Sequence, residues 1–334
     1  MTTITTIDRL PPERVALLTN KHPQQSRILI MKSSTSITLA LVLFAIPTIA
    51  DDTIPGPPQS HPIALVGGTL HTVSGKTIEN GTLVFDRGLI VAVGANVDLP
   101  PNTKTIDVSG RHVYPGLFEA HSRLGLTEIS STRATLDHSE AGSLNPNVQA
   151  NKAVNPDSTL LPVTRSNGVL LALTAPQSGL VSGRTSIIQL DGWTYEDMTL
   201  KPAATLMVNW PRMEPVFRAE GDEPADEQNE ERDSALEELR NLFADARVYR
   251  KGREAGTQKF DIRLESMLSV LDGEVPMLVR ADGLAEIQSS VMFCAEQKVK
   301  CILLGGYDAP KCATLLKKHD VPVIVSAVHR RPRR

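Results

Sequence analysis

Short apolar runs separated by turn signals fill the segment between residues 62 and 112. The runs are rich in Val, Ile, Leu and Thr, and dipeptides such as Asn80-Gly81 and Arg87-Gly88 stand between them. Runs of about 4–8 such residues, bounded by Gly and Asn, are typical of strands in a small all-β unit. The pattern therefore predicts a β module over residues 63–112.

From residue 113 onward, apolar strand patterns alternate with amphipathic helical patterns, as in a parallel sheet covered by helices. Six strands are predicted, at Val113–Ala120, Gly168–Thr174, Thr205–Asn209, Val275–Arg280, Lys300–Leu304 and Val321–Ser326. Helices are predicted at Asp233–Arg250, Ile262–Leu271, Leu284–Gln297 and Pro310–His319. A tight hairpin turn is expected at Gly179–Gly183, before a further strand at Thr185–Leu190.

The amino-terminal region has the pattern of a secretory signal. Residues 31–50 contain a basic start, an apolar run and small residues before Asp51, so cleavage after Ala50 is predicted. The apolar stretch is shorter than the ~20 residues needed to span a bilayer, so no stable membrane anchor is expected. Residues 1–30 are interpreted as an upstream extension, the alternative being a long polar start to the signal. Residues 51–62, rich in proline, are predicted to form a stiff linker.

The amino-acid composition argues against a nucleic-acid-binding protein. The formal net charge is −3 and aromatic residues make up 4% of the chain, which gives no general attraction to nucleic acid. The signal predicts an exported protein, periplasmic or extracellular. Cys294, Cys301 and Cys312 match no zinc-binding spacing, and the simplest interpretation is three small buried hydrophobic side chains.

Residues 115–125 carry the most informative motif, Pro-Gly-Leu-Phe-Glu-Ala-His-Ser-Arg-Leu-Gly. Two histidines at i and i+2 at the end of a strand would place both imidazoles on one face, where they could bind one divalent ion. Here His121 is followed by Arg123 at the second position. A guanidinium stays protonated and has no lone pair, so Arg123 cannot be a metal ligand.

This motif and the glycine-punctuated strands before it resemble the amidohydrolase superfamily, in particular its imidazolonepropionase-like members. The resemblance covers roughly residues 62–329. It implies an α/β fold, a (β/α)8 barrel with a small β-sandwich. It also implies a hydrolase acting on carbon–nitrogen bonds, including cyclic amides, with zinc or another divalent metal. With about six predicted strands, residues 113–334 are expected to form an incomplete, TIM-like barrel.

Further positions depart from the family pattern. Arg280 stands where the resemblance implies a histidine, and Gly305-Gly306 stand where it implies another ligand. The resemblance therefore leaves His121 as the sole surviving ligand position. No bound metal cofactor is expected in this chain, and little or no metal-dependent activity.

The candidate pocket consists of residues at the expected barrel mouth. Arg123 and Arg280 could together recognise a carboxylate or a phosphate. Alternatively, they could form a structural ion-pair network with Glu119 and Asp282. A loop at Asp137–Glu140 could also approach His121, although a polar turn is the simpler interpretation.

Three hypotheses about function remain open. The chain is an amidohydrolase-type enzyme, a metal-free relative that binds a small anionic ligand, or a non-functional fragment of a longer hydrolase. A small molecule is the expected partner, and self-association is expected if the barrel is truncated, because open sheet edges associate. No catalytic residue can be assigned.

Overall fold

A computed structural model describes residues 54–216 and 223–326. The predicted upstream extension, the signal at 31–50 and the first residues of the linker lie outside these ranges. None of the helices in the described ranges is long and apolar enough to cross a membrane.

The predicted β module forms one mixed sheet. Its strands are β1 (Ile63–Leu70), β2 (Ile78–Asp86), β3 (Leu89–Gly94), β4 (Lys104–Asp107) and β5 (His112–Val113). The order is β3-β2-β1-β4, and β5 also pairs with β1. The β1–β2 and β2–β3 pairs are antiparallel, whereas β4 and β5 run parallel to β1. The described strands therefore form one separate sheet over the region predicted as a small β-sandwich module.

The second sheet is barrel-like and has seven strands. These are β6 (Leu117–Ser122), β7 (Val169–Thr174), β8 (Val181–Gln189), β9 (Thr199–Asn209), β10 (Met277–Ala281), β11 (Cys301–Gly305) and β12 (Val323–Val325), in sequence order across the sheet. The prediction of an α/β barrel-like fold is thus confirmed. The six parallel strands correspond to the six that the sequence predicts, and β8 is an additional strand, antiparallel to both neighbours.

Two local predictions were wrong. The expected strand Val113–Ala120 is divided between the two sheets, since Val113 pairs with β1 and β6 begins at Leu117. Pro115 lies in the intervening connection and has no N–H to donate to a ladder. The expected turn at Gly179–Gly183 is shorter, because β8 already begins at Val181. Residues 175–180 are too few for a crossover helix, so β8 returns antiparallel to β7.

Six α-helices occur in the described ranges: α1 (Leu160–Ser166), α2 (Tyr195–Met198), α3 (Ala225–Glu254), α4 (Ile262–Leu271), α5 (Leu284–Gln297) and α6 (Ala313–Lys318). Short 3-10 turns lie at Arg133–Thr135, Ala150–Ala153 and Ala309–Cys312. Helices α4 and α5 have the predicted bounds. The predicted helix Pro310–His319 is divided into a 3-10 turn and α6.

The sheet has a distinct core on each face. On the helix side, Phe243 of α3 is fully buried and contacts Phe293 of α5 edge to face. The interior side holds a smaller cluster of buried residues, namely Leu173, Ala204, Met207, Leu278 and Leu304. Side chains alternate across each strand, so Arg280 shares the interior face with Leu278. This alternation is what directs Arg280 towards the barrel interior.

Strand β3 is an exposed apolar edge. Leu89, Ile90 and Val91 are 72%, 68% and 54% exposed, and in the described ranges β3 pairs with β2 alone. Unpaired edges with apolar side chains are templates for association. We expect concentration-dependent self-association in sedimentation experiments, and the substitution Ile90→Lys should reduce it. The matched control, Val248→Lys on the exposed face of α3, should have no such effect; equal effects of both would contradict a role for the edge.

Candidate functional site

The candidate residues meet at the carboxyl ends of the parallel strands. His121 is near the end of β6, Arg280 near the end of β10, and Gly305 ends β11. Parallel strands of one sheet finish at the same edge, which is where barrel enzymes place their sites. We call this group of strand ends and the turns that follow them the mouth.

His121 is half-buried at the mouth. Its Nε2 atom is inaccessible to solvent and has no hydrogen-bond partner among the described residues. Burial lowers the pKa of the imidazole, and the positive charges of Arg280 and then Arg123 lower it further. The structure therefore places both guanidiniums close enough to act on His121, and favours its neutral form.

The two arginines have no protein counter-charge in the part of the chain that the structure describes. Arg123 opens the turn after β6, in which its carbonyl accepts a hydrogen bond from Leu126 N at 2.9 Å. Arg280 is on β10 and exposed. No ion pair or side-chain hydrogen bond joins either one to a described residue, and Glu119 Oε1 instead accepts a hydrogen bond from His121 N at 3.3 Å. The proposed structural network with Glu119 and Asp282 is thus not formed by either arginine.

Asp282, Gly305 and Gly306 form the floor of the mouth next to Arg280. Gly305 and Gly306 have φ values of +102° and +63°, which side-chain-bearing residues rarely adopt. A Cβ atom on Gly305 would lie 2.7 Å from Asp282 Oδ1. Gly306 N donates to Ala281 O and Asp308 N to Asp282 O, each at 2.9 Å. The glycine pair therefore serves chain geometry and close packing, and it offers no side chain to a ligand.

Two polar residues of the mouth, Asn209 and His138, were not predicted as members of the candidate pocket. Asn209 ends β9 and is the register partner of Arg280. Its Nδ2 donates to Gly179 O at 2.8 Å and to Ser182 Oγ at 3.0 Å. Its position as the last residue of a predicted parallel strand was the signal that could have identified it.

His138 is the second of these residues. Burial lowers its pKa first, and the charge of Arg123 lowers it next. Its Nδ1 lies 3.0 Å from Thr127 Oγ1, and its carbonyl accepts a hydrogen bond from Gln177 N at 2.8 Å. The loop at Asp137–Glu140 is therefore a hydrogen-bonded turn that also brings an imidazole near Arg123.

The described side chains at the mouth do not form a donor set that fits a metal ion. Within the described ranges, no group of three or more His, Cys, Asp or Glu side chains is arranged to hold a cation. His121 supplies one nitrogen, whereas its charged neighbours Arg123 and Arg280 supply none and would repel a cation. A divalent ion needs several converging lone pairs, and the described side chains at this site do not supply them.

The lowered pKa of His121 predicts a specific pH dependence. Above its ordinary pKa of about 6.5 the imidazole is neutral in both the folded and the unfolded chain. As the pH falls below that value, the unfolded chain takes up the proton first, so His121 lowers the free energy of unfolding until its folded pKa is reached. Proton NMR should show the His121 signal, assigned by its loss in His121→Gln, titrating below 6.5. A midpoint above 6.5 without added anions would contradict this placement of the arginines.

Comparisons with known proteins identify the fold. No protein-family model and no curated protein sequence matches the chain. Among solved structures, an amidohydrolase from Thermotoga maritima is similar with a TM-score of 0.70 and 21% identity, over 80% of this chain and 70% of that one. A prolidase complexed with N-methylphosphonate-L-proline aligns at a TM-score of 0.42 and 16% identity, over 79% and 66% of the two chains. A D-hydantoinase from a Thermus species aligns at 0.30 and 11%, over 79% and 57%.

The similarity to the Thermotoga structure supports a conclusion about the fold. This chain has the fold of the Thermotoga amidohydrolase structure, in agreement with the barrel fold that the motif at residues 115–125 predicted. It spans 70% of the Thermotoga protein and 66% of the prolidase.

Proposed function

We propose that this chain is an amidohydrolase-fold protein whose mouth binds a small anion, with little or no metal-dependent hydrolysis. The observation that carries the proposal is the pair of arginines beside His121, neither of which has a counter-charge in the described ranges. Both guanidiniums act on the same imidazole without an ion pair to a described carboxylate, so a bound anion would offset their mutual repulsion.

The chemistry of the mouth favours a planar carboxylate or a phosphate as the ligand. A guanidinium presents a rigid fork of donors that matches either group with two parallel hydrogen bonds. Asn209 neighbours Arg280 on the same face of the sheet, but its amide donors already bond to Gly179 O and Ser182 Oγ. Neutral His121 can donate or accept one further hydrogen bond. The ligand would thus be held by two charged groups and oriented by one neutral imidazole.

Hydrolysis of carbon–nitrogen bonds is the second candidate function. It is supported by the fold, since the Thermotoga structure is described as an amidohydrolase. A metal-bound water with a pKa near 7 is the usual nucleophile in metal-assisted hydrolysis. The described residues at this mouth do not fit such an ion, which is why we place anion binding first.

Titration calorimetry with inorganic phosphate and with succinate tests the proposal. At constant ionic strength, the full chain should bind at least one of them saturably at a single site. A saturating ligand at about 100 times its dissociation constant should stabilise the fold by about 2.7 kcal/mol. The control variant Arg87→Ala, in the β module, should bind as the wild type does. Absence of saturable binding of both anions would refute the proposed function.

A further inference from the structure

We propose that Cys294 and Cys301 form a thiol pair that closes to an intramolecular disulfide in an oxidising environment. The pair lies at the amino ends of the barrel strands, opposite the mouth, and is independent of the anion site. It links α5 to β11, and no zinc-type spacing or sequence motif pointed to it.

The backbone brings the two cysteines together. Cys294 is in the last turn of α5, and its carbonyl accepts a hydrogen bond from Val299 N at 3.0 Å, which turns the chain sharply back towards β11. Cys301 is the first residue of β11. The intervening turn uses Lys298 in the left-handed conformation, with φ of +58°. A helix end and a strand start are thus held side by side by a short connection.

Met277 lies beside both cysteines. It is the register partner of Cys301 on the neighbouring parallel strand, so the two side chains leave the sheet on the same face. The thiol of Cys294 donates to Met277 Sδ at 4.0 Å. Both cysteines belong to the buried cluster on the helix side of the sheet. Cys294 therefore lies against the side chain that stands next to Cys301.

The proximity of the two thiols also affects the pKa of Cys294. The neighbouring Cys301 thiol and, after it, burial hold the pKa of Cys294 well above its usual range. A raised pKa reduces the fraction of reactive thiolate. Oxidation should therefore be slow for the native protein, and the pair should react as a unit.

A cavity gives a small oxidant access to this pair. Its volume is about 850 Å³, and both Cys294 and Cys301 line it. Lys298 and Lys300 line it as well. Cys301 is 8% exposed and Cys294 1%, so Cys301 is the sulfur that an incoming reagent reaches first.

The third cysteine serves as an internal reference. Cys312 is buried, and its thiol donates to Ala309 O at 3.6 Å within its own 3-10 turn. Burial raises the pKa of this thiol, and the charge of Asp308 raises it further. Among the described residues, the Cys312 thiol is hydrogen-bonded to Asp308 O and Ala309 O and to neither cysteine of the pair, so it should remain reduced when the pair is oxidised.

The reaction is a thiol–disulfide exchange with a low-molecular-weight disulfide such as oxidised glutathione. The Cys301 thiolate attacks one sulfur of the oxidant, which forms a mixed disulfide and releases one glutathione thiolate. The Cys294 thiolate then attacks Cys301 Sγ and releases the second. The protein loses two electrons and two protons, and the oxidant becomes two molecules of glutathione.

Peptide mapping tests the inference without any substitution. The full chain is equilibrated with oxidised glutathione, alkylated under denaturing conditions and digested with trypsin without reduction. Lysines and Arg280 place the three cysteines in separate peptides, namely 281–298, 301–311 and 312–317. We expect a cross-linked 281–298/301–311 species and alkylation of Cys312. A cross-link that includes 312–317 in place of that species, or three alkylated cysteines after equilibration, would overturn the proposal.

Thermal melts give a second, independent readout. Closing the disulfide constrains the unfolded chain, so the oxidised protein should melt about 5 °C above the reduced one. The shift should disappear in Cys301→Ala and persist in the matched variant Cys312→Ala. An equal melting temperature in wild type with a proven cross-link would contradict the predicted stabilisation of the fold.

Discussion

The double variant Arg123→Ala/Arg280→Ala should lose anion binding almost completely. A hydrogen bond to a charged group contributes about 1.5–3 kcal/mol, so each guanidinium accounts for roughly a tenfold to a hundredfold change in affinity. Together, we expect the dissociation constant for phosphate or succinate to rise by more than about a hundredfold. The two effects need not add, since both arginines act on the same small space around His121.

Single variants separate the contribution of the positive charge to anion affinity from that of the bidentate hydrogen-bond geometry. Arg280→Lys keeps the positive charge but loses the bidentate fork, so it should retain part of the affinity, whereas Arg280→Ala should not. Removing one arginine should also raise the titration midpoint of His121, because a positive charge that lowers its pKa is gone. Calorimetry and NMR on the same samples measure both effects. Unchanged affinity in the double variant would show that the anion binds elsewhere.

The substitution Gly305→Ala should destabilise the fold. Its φ of +102° is strained for alanine, and the added Cβ would meet Asp282 Oδ1 at 2.7 Å and Ala281 O at 3.2 Å. Backbone strain and overpacking each cost about 1–3 kcal/mol, so we expect a loss of about 2–5 kcal/mol in the free energy of unfolding. Because Asp282 follows Arg280 closely, anion affinity should fall as well.

Gly110 provides the matched control for this effect. It also has a positive φ, +70°, but a Cβ there would have no neighbour within 4 Å. Gly110→Ala therefore isolates the backbone strain, and it should cost less than Gly305→Ala and leave anion binding unchanged. Denaturant unfolding measures both variants. Equal losses would mean that the contact with Asp282 contributes nothing.

Local signals made much of the fold predictable. Helix α4 has the predicted bounds because Asp261 caps it, accepting hydrogen bonds from Arg263 N and Leu264 N. Helix α3 starts at Ala225, earlier than predicted, since its first turns are charged and its buried residues begin at Leu236. An apolar periodicity cannot reveal helical turns that bury nothing.

Features that depend on pairing between segments far apart in the chain could not be predicted from the sequence. Strand β8 was recognised as a strand, but its antiparallel place between β7 and β9 follows from pairings such as Thr185 with Thr205. The motif predicted that His121, Arg123 and Arg280 share a mouth. The lack of described counter-charges and the presence of Asn209 required coordinates, because they depend on contacts between strands. The same holds for Cys294 and Cys301, whose meeting depends on the register of β10 and β11.

We expect positive protein charge to occupy the mouth in place of a cation. A thermal melt of the full chain with either zinc or phosphate tests this expectation most directly. Phosphate at saturation should raise the melting temperature by about 5 °C or more, whereas zinc should not raise it. The phosphate effect should be absent in Arg123→Ala/Arg280→Ala. Stabilisation by zinc that is lost in His121→Ala, with no effect of phosphate on the wild type, would contradict the account.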